Sequence, residues 1–162
     1  MNTTQLTLRL SLVLLTSTVC WTPGCRRSQG TSSVERDVAE LRSSDFHILR
    51  RAQAAITAEG LRALPILLQT ARSSDSEQQI GLSCYLIGTI DRQAYLKHLS
   101  KLALPGRLCA VLRYPNSEAI QSASSGQKLE FEAHFGRMAS RMSKEEISCV
   151  EKMMEALKRS GK

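Results

Sequence analysis

Arg-Ser-Ser-Asp stands twice in this chain, at Arg42–Asp45 and again at Arg72–Asp75, thirty residues on. Each string is followed by apolar residues at helical spacing, and that recurrence constrains the fold more than any other feature. Behind the first string, Ile48, Leu49, Ala52, Ala55 and Ile56 fall at i, i+1, i+4, i+7 and i+8, the stripe of an amphipathic helix. Gly60 breaks it, and a second stripe follows at Leu61, Leu64, Leu67, Leu68 and Ala71. Pro65 sits in the first turn of that helix, where its missing N–H costs little. Behind the second string come Ile80, Leu82, Leu86, Ile87 and Ile90, then Ala94, Tyr95, Leu99, Leu102 and Ala103. Gly81 and Gly88 weaken the first of these helices slightly. One helix pair cannot bury its own apolar face, so a period near 31 implies pairs stacked on one another.

The polar residues mark where each helix starts. Ser44 or Asp45 can accept bonds from the free amides of a new helix, and Asp91 can do so for a later one. Ser32 with Glu35, Ser74 with Glu77 and Ser143 with Glu146 have the spacing of capping boxes. The first box predicts a short helix to about Arg42 with Val34, Val38 and Leu41 on one face. The third opens a last helix striped by Ile147, Val150, Met153, Met154 and Leu157, with Lys158 and Arg159 at the end where cations are favoured. Between them, "GRLCAVLR" predicts a short helix and "NSEAIQSASSGQK" reads as half loop. Phe131, Phe135, Met138 and Met142 take helical spacing. Aromatic residues are only 4% of the chain, so the core must be built from Leu, Ile, Ala and Met.

The two middle units resemble the short bacterial form of the HEAT repeat. Asp45, Ile48, Arg51, Ala52, Ala55 and Ile56 stand in its first-helix positions, and Ala63-Leu64-Pro65 with Leu68 in its second. Asp75, Leu82 and Leu86, then Ala94, Tyr95, Leu99 and Leu102, answer them, with Leu96 where the proline would be. The resemblance implies an all-α chain: a short stack of helical hairpins, an α-solenoid, over 33–104, with a helical part over 105–162 packing on it. Such stacks present an extended surface to another protein. On that analogy Arg62, Gln69, Arg72, Gln93 and Lys97, on the second-helix side, form the candidate protein-binding surface.

The first residues follow another plan. One charge, Arg9, precedes an uncharged, mostly apolar run from Leu10 to Val19, and "CWTPGC" follows. That order predicts a signal peptide over 1–24 and an exported protein. The run is about half the roughly 20 apolar residues a membrane span needs, and a retained membrane anchor is the rival reading. "TPGC" is similar to the lipobox of bacterial lipoproteins, although Thr22 stands where that family usually has Leu. The resemblance implies lipid attachment at Cys25, a polar tether over 25–32 and a location in the cell envelope. Without Arg9 the chain carries 21 Lys and Arg against 15 Asp and Glu, a net charge of +6. An envelope-structural lipoprotein that lies on anionic lipid or wall through this basic surface is the second function class. No basic-aromatic interleaving suggests nucleic acid.

Little points to chemistry. His47, His98 and His134 are far apart, with no metal-ligand spacing, and no nucleophile elbow or phosphate loop occurs. No cofactor, metal or catalytic residue is expected. Glu145-Glu146 and Glu130 with Glu132 read as capping and solvated carboxylates. Cys84 and Cys149 lie among apolar helical positions and read as small buried hydrophobes. Export permits a disulfide, but Cys84, Cys109 and Cys149 leave one cysteine over and no spacing selects a pair. A small secreted effector or inhibitor held by such a bond is a third class.

Overall fold

The apolar stripes become helices in a computed structural model, which describes residues 32–159. The leader, Cys25 and the tether up to residue 31 lie outside the described residues, and the export and acylation expectations lie there with them. Every regular element among the described residues is helical. The order is α1 (Ser33–Glu40), α2 (Phe46–Glu59), α3 (Leu64–Ser73), α4 (Glu77–Ile90), α5 (Arg92–Leu102), α6 (Leu108–Val111), α7 (Ser117–Gln121), α8 (Ser125–Met138) and α9 (Lys144–Arg159).

The polar starts act as the spacing predicts in most places. Ser32 and Glu35 close a reciprocal box on α1, and Ser143 and Glu146 close one on α9. Asp45 accepts the amides of His47 and Ile48 at the head of α2, and Asp91 accepts that of Ala94 at the head of α5. Two expectations need correction. Ser76, rather than Ser74, caps α4 by accepting from Gln79 N–H at 3.3 Å. The Ser74 hydroxyl is engaged elsewhere: it accepts from Ser76 N–H at 3.1 Å and donates to Gln79 Oε1 at 2.6 Å. Leu61 does not join the α3 stripe. Gly60, with φ +56°, turns the chain into a short 3₁₀ segment (Gly60–Ala63) that leaves Leu61 67% exposed.

The closest helix pairs are α1 with α2 and α3 with α4. The two Arg-Ser-Ser-Asp strings therefore turn the corner inside each pair. They also touch each other. Arg42 of the first string donates to Ser74 Oγ at 3.4 Å and pairs with Asp75 at 2.8 Å in the second. This exposed ion pair contributes little by itself. The buried bonds beside it count for more. Gln79, 5% exposed, donates to the Val38 carbonyl at 2.8 Å and accepts from Arg42 Nε at 2.8 Å. Gln78 donates to the carbonyls of Leu41 and Ser43, both at 3.0 Å. Two glutamines at the start of α4 thus serve carbonyls at the end of α1, which has no basic residue in its last turn. Arg107 does the same for α3, donating to the carbonyls of Ala71, Arg72 and Ser74.

Helix α4 is the central helix among the described residues, buried from Gln79 to Cys84 and from Leu86 to Gly88. Leu86 and Ile87 lie in the core with Ile56, Leu67, Leu99, Leu108, Val111 and Ile120. The chain after Leu104 packs onto this helix and its neighbours: α6 on α4, α7 and α8 on α5, and α9 on α6, α7 and α8. Gly81 and Gly88 make that packing possible. A Cβ on Gly81 would come within 2.8 Å of the Ala110 carbonyl oxygen, and one on Gly88 within 2.7 Å of Asn116 Cβ. Asn116 uses this closeness to donate to Tyr85 O at 3.1 Å while capping α7 through Ala119 N–H at 2.9 Å. The glycines give up some helix propensity and admit a crossing segment in return.

Candidate functional site

All five residues of the predicted surface are exposed, but the structure does not join them into one face. Arg62 stands in the 3₁₀ turn between α2 and α3. Gln69 looks into a groove between α1 and α3 with Glu35, Ala39 and Pro65. Gln93 and Lys97 are on α5, and both face α8: Gln93 accepts from Gln127 at 3.4 Å, and Lys97 lines a cleft between the two helices. Arg72, at the end of α3, joins them only through His98. Burial chiefly holds the His98 pKa below its ordinary value, and the charges of Lys101, Arg72 and Lys97 add to the effect. Burial and the three cations therefore all disfavour the protonated form of one half-buried imidazole.

The α5–α8 cleft encloses about 430 Å³. Helix α5 contributes Leu96, Lys97 and Ser100, within one turn of each other. Helix α8 contributes Gln127, Glu130, His134 and Arg137, a stripe at i, i+3, i+7 and i+10 that lies along one helix face. Leu96 and Phe131, each 3% exposed, form the floor with Ala133 beside them. Neither Lys97 nor Arg137 forms an ion pair among the described residues. His134 Nε2 is buried and has no hydrogen-bond partner, and the same holds for His98 Nδ1. A buried polar atom without a partner is uncommon and calls for a reason. Arg137, His134 and Glu130 were not legible as site residues. Their spacing on α8 is visible in the sequence, but which helix that face meets is not.

Two other hollows differ in character. Between α8 and α9 a groove of about 480 Å³ is lined by Phe135, Met142, Ile147, Val150 and Met154. Ile147, expected on the inner stripe of α9, is 38% exposed at its edge. Near the start of α6 a cavity of about 540 Å³ gathers Asp75, Glu77, Glu145, Glu146 and Arg107. Its strongest groups are already engaged. Arg107 holds the end of α3, and Glu146 accepts from Gly106 N–H at 2.6 Å and Ser143 N–H at 3.0 Å. Those bonds hold the Glu146 carboxyl below the usual range, the Ser143 backbone bond foremost and burial opposing.

The cysteines correct one reading. Cys149 is bonded to Cys109, with 5.7 Å between their Cα atoms, so the residue is a cross-link between α6 and α9 and not a free apolar filler. Cys84 is free and 1% exposed, and burial pushes its thiol up to about 12. It is therefore unreactive in the folded chain. Among the described residues no group of three His, Cys, Asp or Glu is placed to hold a metal ion, and no helix is long and apolar enough to cross a membrane. No protein-family model, curated protein or solved structure matches the chain.

Proposed function

We propose that this chain is an exported, membrane-tethered helical protein that binds another protein through its α5–α8 face. The observation that carries the binding role is the α5–α8 cleft. Lys97 and Arg137 stand on it, exposed and with no carboxylate partner among the described residues. Exposed cations without a carboxylate partner are groups that a partner's acidic residues can complete. The Cys109–Cys149 bond supports the export reading, because disulfides persist in oxidising compartments. The tether rests on Cys25 and the run before it.

Captured envelope proteins test the binding face. With the full chain as bait, Lys97→Glu is expected to lose a captured species that Arg62→Glu retains. Retention unaffected by charge reversal at Lys97 sinks the assignment. The mass of the mature amino terminus tests the tether. We expect a diacylglycerol-modified Cys25 as the first residue, and an intact Met1 would overturn export. The net charge of +6 that remains without Arg9 supports a second reading, adhesion to anionic lipid. Binding to anionic but not zwitterionic vesicles, lost in moderate salt, would select it.

A further inference from the structure

The groove between α8 and α9 shares no residue with the α5–α8 cleft. Phe135 and Val150 are buried in its floor, so an occupant meets the residues around them. Those are Gly136, Ala139, Met142, Ile147 and Met154, all exposed or half-buried. Gly136 lies inside α8, where a glycine weakens a helix. Gly81 and Gly88 offset that weakness by admitting a crossing segment, but a Cβ on Gly136 would meet nothing within 4 Å. The room above it is open to another molecule. On α9, Ile147, Glu151, Met154 and Lys158 recur at i, i+4, i+7 and i+11 and form one stripe along the groove. Glu151 and Lys158 are exposed and form no ion pair among the described residues. They stand almost symmetrically about Met154, about 4.5 Å before it and about 6 Å after it along the helix.

We infer that two copies of this chain associate through their α8–α9 grooves, α9 against α9 in antiparallel, with Met154 at the two-fold axis and Glu151 of each copy paired with Lys158 of the other. With Met154 set on Met154, Glu151 comes within about 1.5 Å of level with Lys158 of the second copy. The two-fold repeats that pair, so one patch answers itself and the assembly closes at two. The contact takes Met154 and Ile147 out of water, and Gly136 and Ala139 let the second α9 come close to α8. Methionine suits the axis, because its unbranched thioether adapts to an identical neighbour. Glu132, exposed on the α8 wall and in no ion pair among the described residues, gives the groove two carboxylates to one ammonium. The groove therefore favours an incoming cation, and Lys158 of the second copy supplies one. An acidic or uncharged helix would cover the apolar walls and leave both carboxylates unanswered.

Sedimentation equilibrium of the full chain over the micromolar range tests this. The unaltered chain is expected to show a reversible monomer–dimer equilibrium. Glu151→Lys and Lys158→Glu should each weaken it about tenfold or more, because each sets like charges against each other across the two-fold. Gly136→Leu, which fills the groove, should weaken it too without lowering the melting temperature, since the space it enters is open. An equimolar mixture of the two charge variants should regain the dimer, because two lysines of one copy then face two glutamates of the other. The double variant E151K/K158E should regain it as well. Glu151 and Lys158 are exposed, so an unchanged melting temperature will show that the variants fold. A chain that stays monomeric throughout that range, association indifferent to Glu151→Lys, or a mixture that fails to recover the dimer overturns the inference. Association driven by the first residues of the chain would show that indifference.

Discussion

Replacing Cys109 and Cys149 together by serine lowers the unfolding free energy by about 4 kcal/mol, for the bond closes a separation of 40 residues. The chain-entropy relation gives about 3 kcal/mol for a 15-residue loop and about 4.7 for a 100-residue loop, and this one falls between. A domain of this size has about 5–15 kcal/mol in total, so the loss is a large fraction of what holds it folded. The bond also has a definite mechanical place. It ties α9 to α6, and α6 rests on the buried helix α4. Without it the last helix keeps its apolar stripe, Val150, Met153 and Leu157, the box at Ser143 and the bond from Gly106 N–H to Glu146. Urea unfolding of the oxidised protein and the double-serine variant is the direct comparison. The variant should show a lower midpoint and a somewhat larger denaturant slope, because its unfolded chain is less compact. Cys84 supplies an internal reporter. Its thiol is buried and held protonated, so peptide-mapped alkylation at Cys84 should accelerate in the variant as the core opens more often. Coincident midpoints would show that the cross-link contributes nothing to stability.

Local signals were legible and long-range ones were not. Ser32, Asp45, Asp91 and Ser143 each accept a backbone amide within three residues, and their role follows from spacing alone. Ser124 and Gln127 close a box on α8 by the same rule, inside a stretch whose serine and glycine content reads as half loop. The cap of α4 moved from Ser74 to Ser76 because Arg42 and Gln79, 32 and 5 residues away, claim the Ser74 hydroxyl. Gly81 and Gly88 look like weak points in a helix when read locally. Their use is clearance for Ala110 to Asn116, a segment whose position only the folded chain sets. The pairing of Cys109 with Cys149 is legible only after α6 and α9 are brought together.

The same limit governed the site. Helical spacing correctly puts Gln93 and Lys97 on the outside of α5, and Arg62, Gln69 and Arg72 on the outside of their own segments. Grouping them into one surface required the faces of α3 and α5 to coincide, and they diverge into separate grooves. The missing half of the cleft comes from α8, some thirty residues further on. Its stripe from Gln127 to Arg137 is polar enough to pass for a solvated face. What turns that face into a candidate site is the neighbour it meets.

Gln79→Leu should cost about 2–3 kcal/mol, the second largest loss we expect. The residue looks dispensable in the sequence, one of two adjacent glutamines after a serine-rich turn. In the fold it is 5% exposed and joins three segments. Its amide donates to Val38 O at the end of α1, and its Oε1 accepts from Arg42 Nε and from Ser74 Oγ. Three bonds at about 1 kcal/mol each set the scale, and the apolar burial of leucine offsets a part of it. The remaining bonds limit the loss from above: Val38 O still accepts from Leu41 N–H at 3.2 Å, and Arg42 still pairs with Asp75. Gln78→Leu is the matched control. It removes two bonds from less buried positions, to Leu41 O and Ser43 O, and should cost less. Thermal or urea unfolding of both variants measures the difference. If Gln79→Leu is neutral, the two Arg-Ser-Ser-Asp corners are held by apolar packing alone. If it falls well below Gln78→Leu, the buried amide is what fixes the first corner on the second, and the repeated string marks where the two helix pairs are joined.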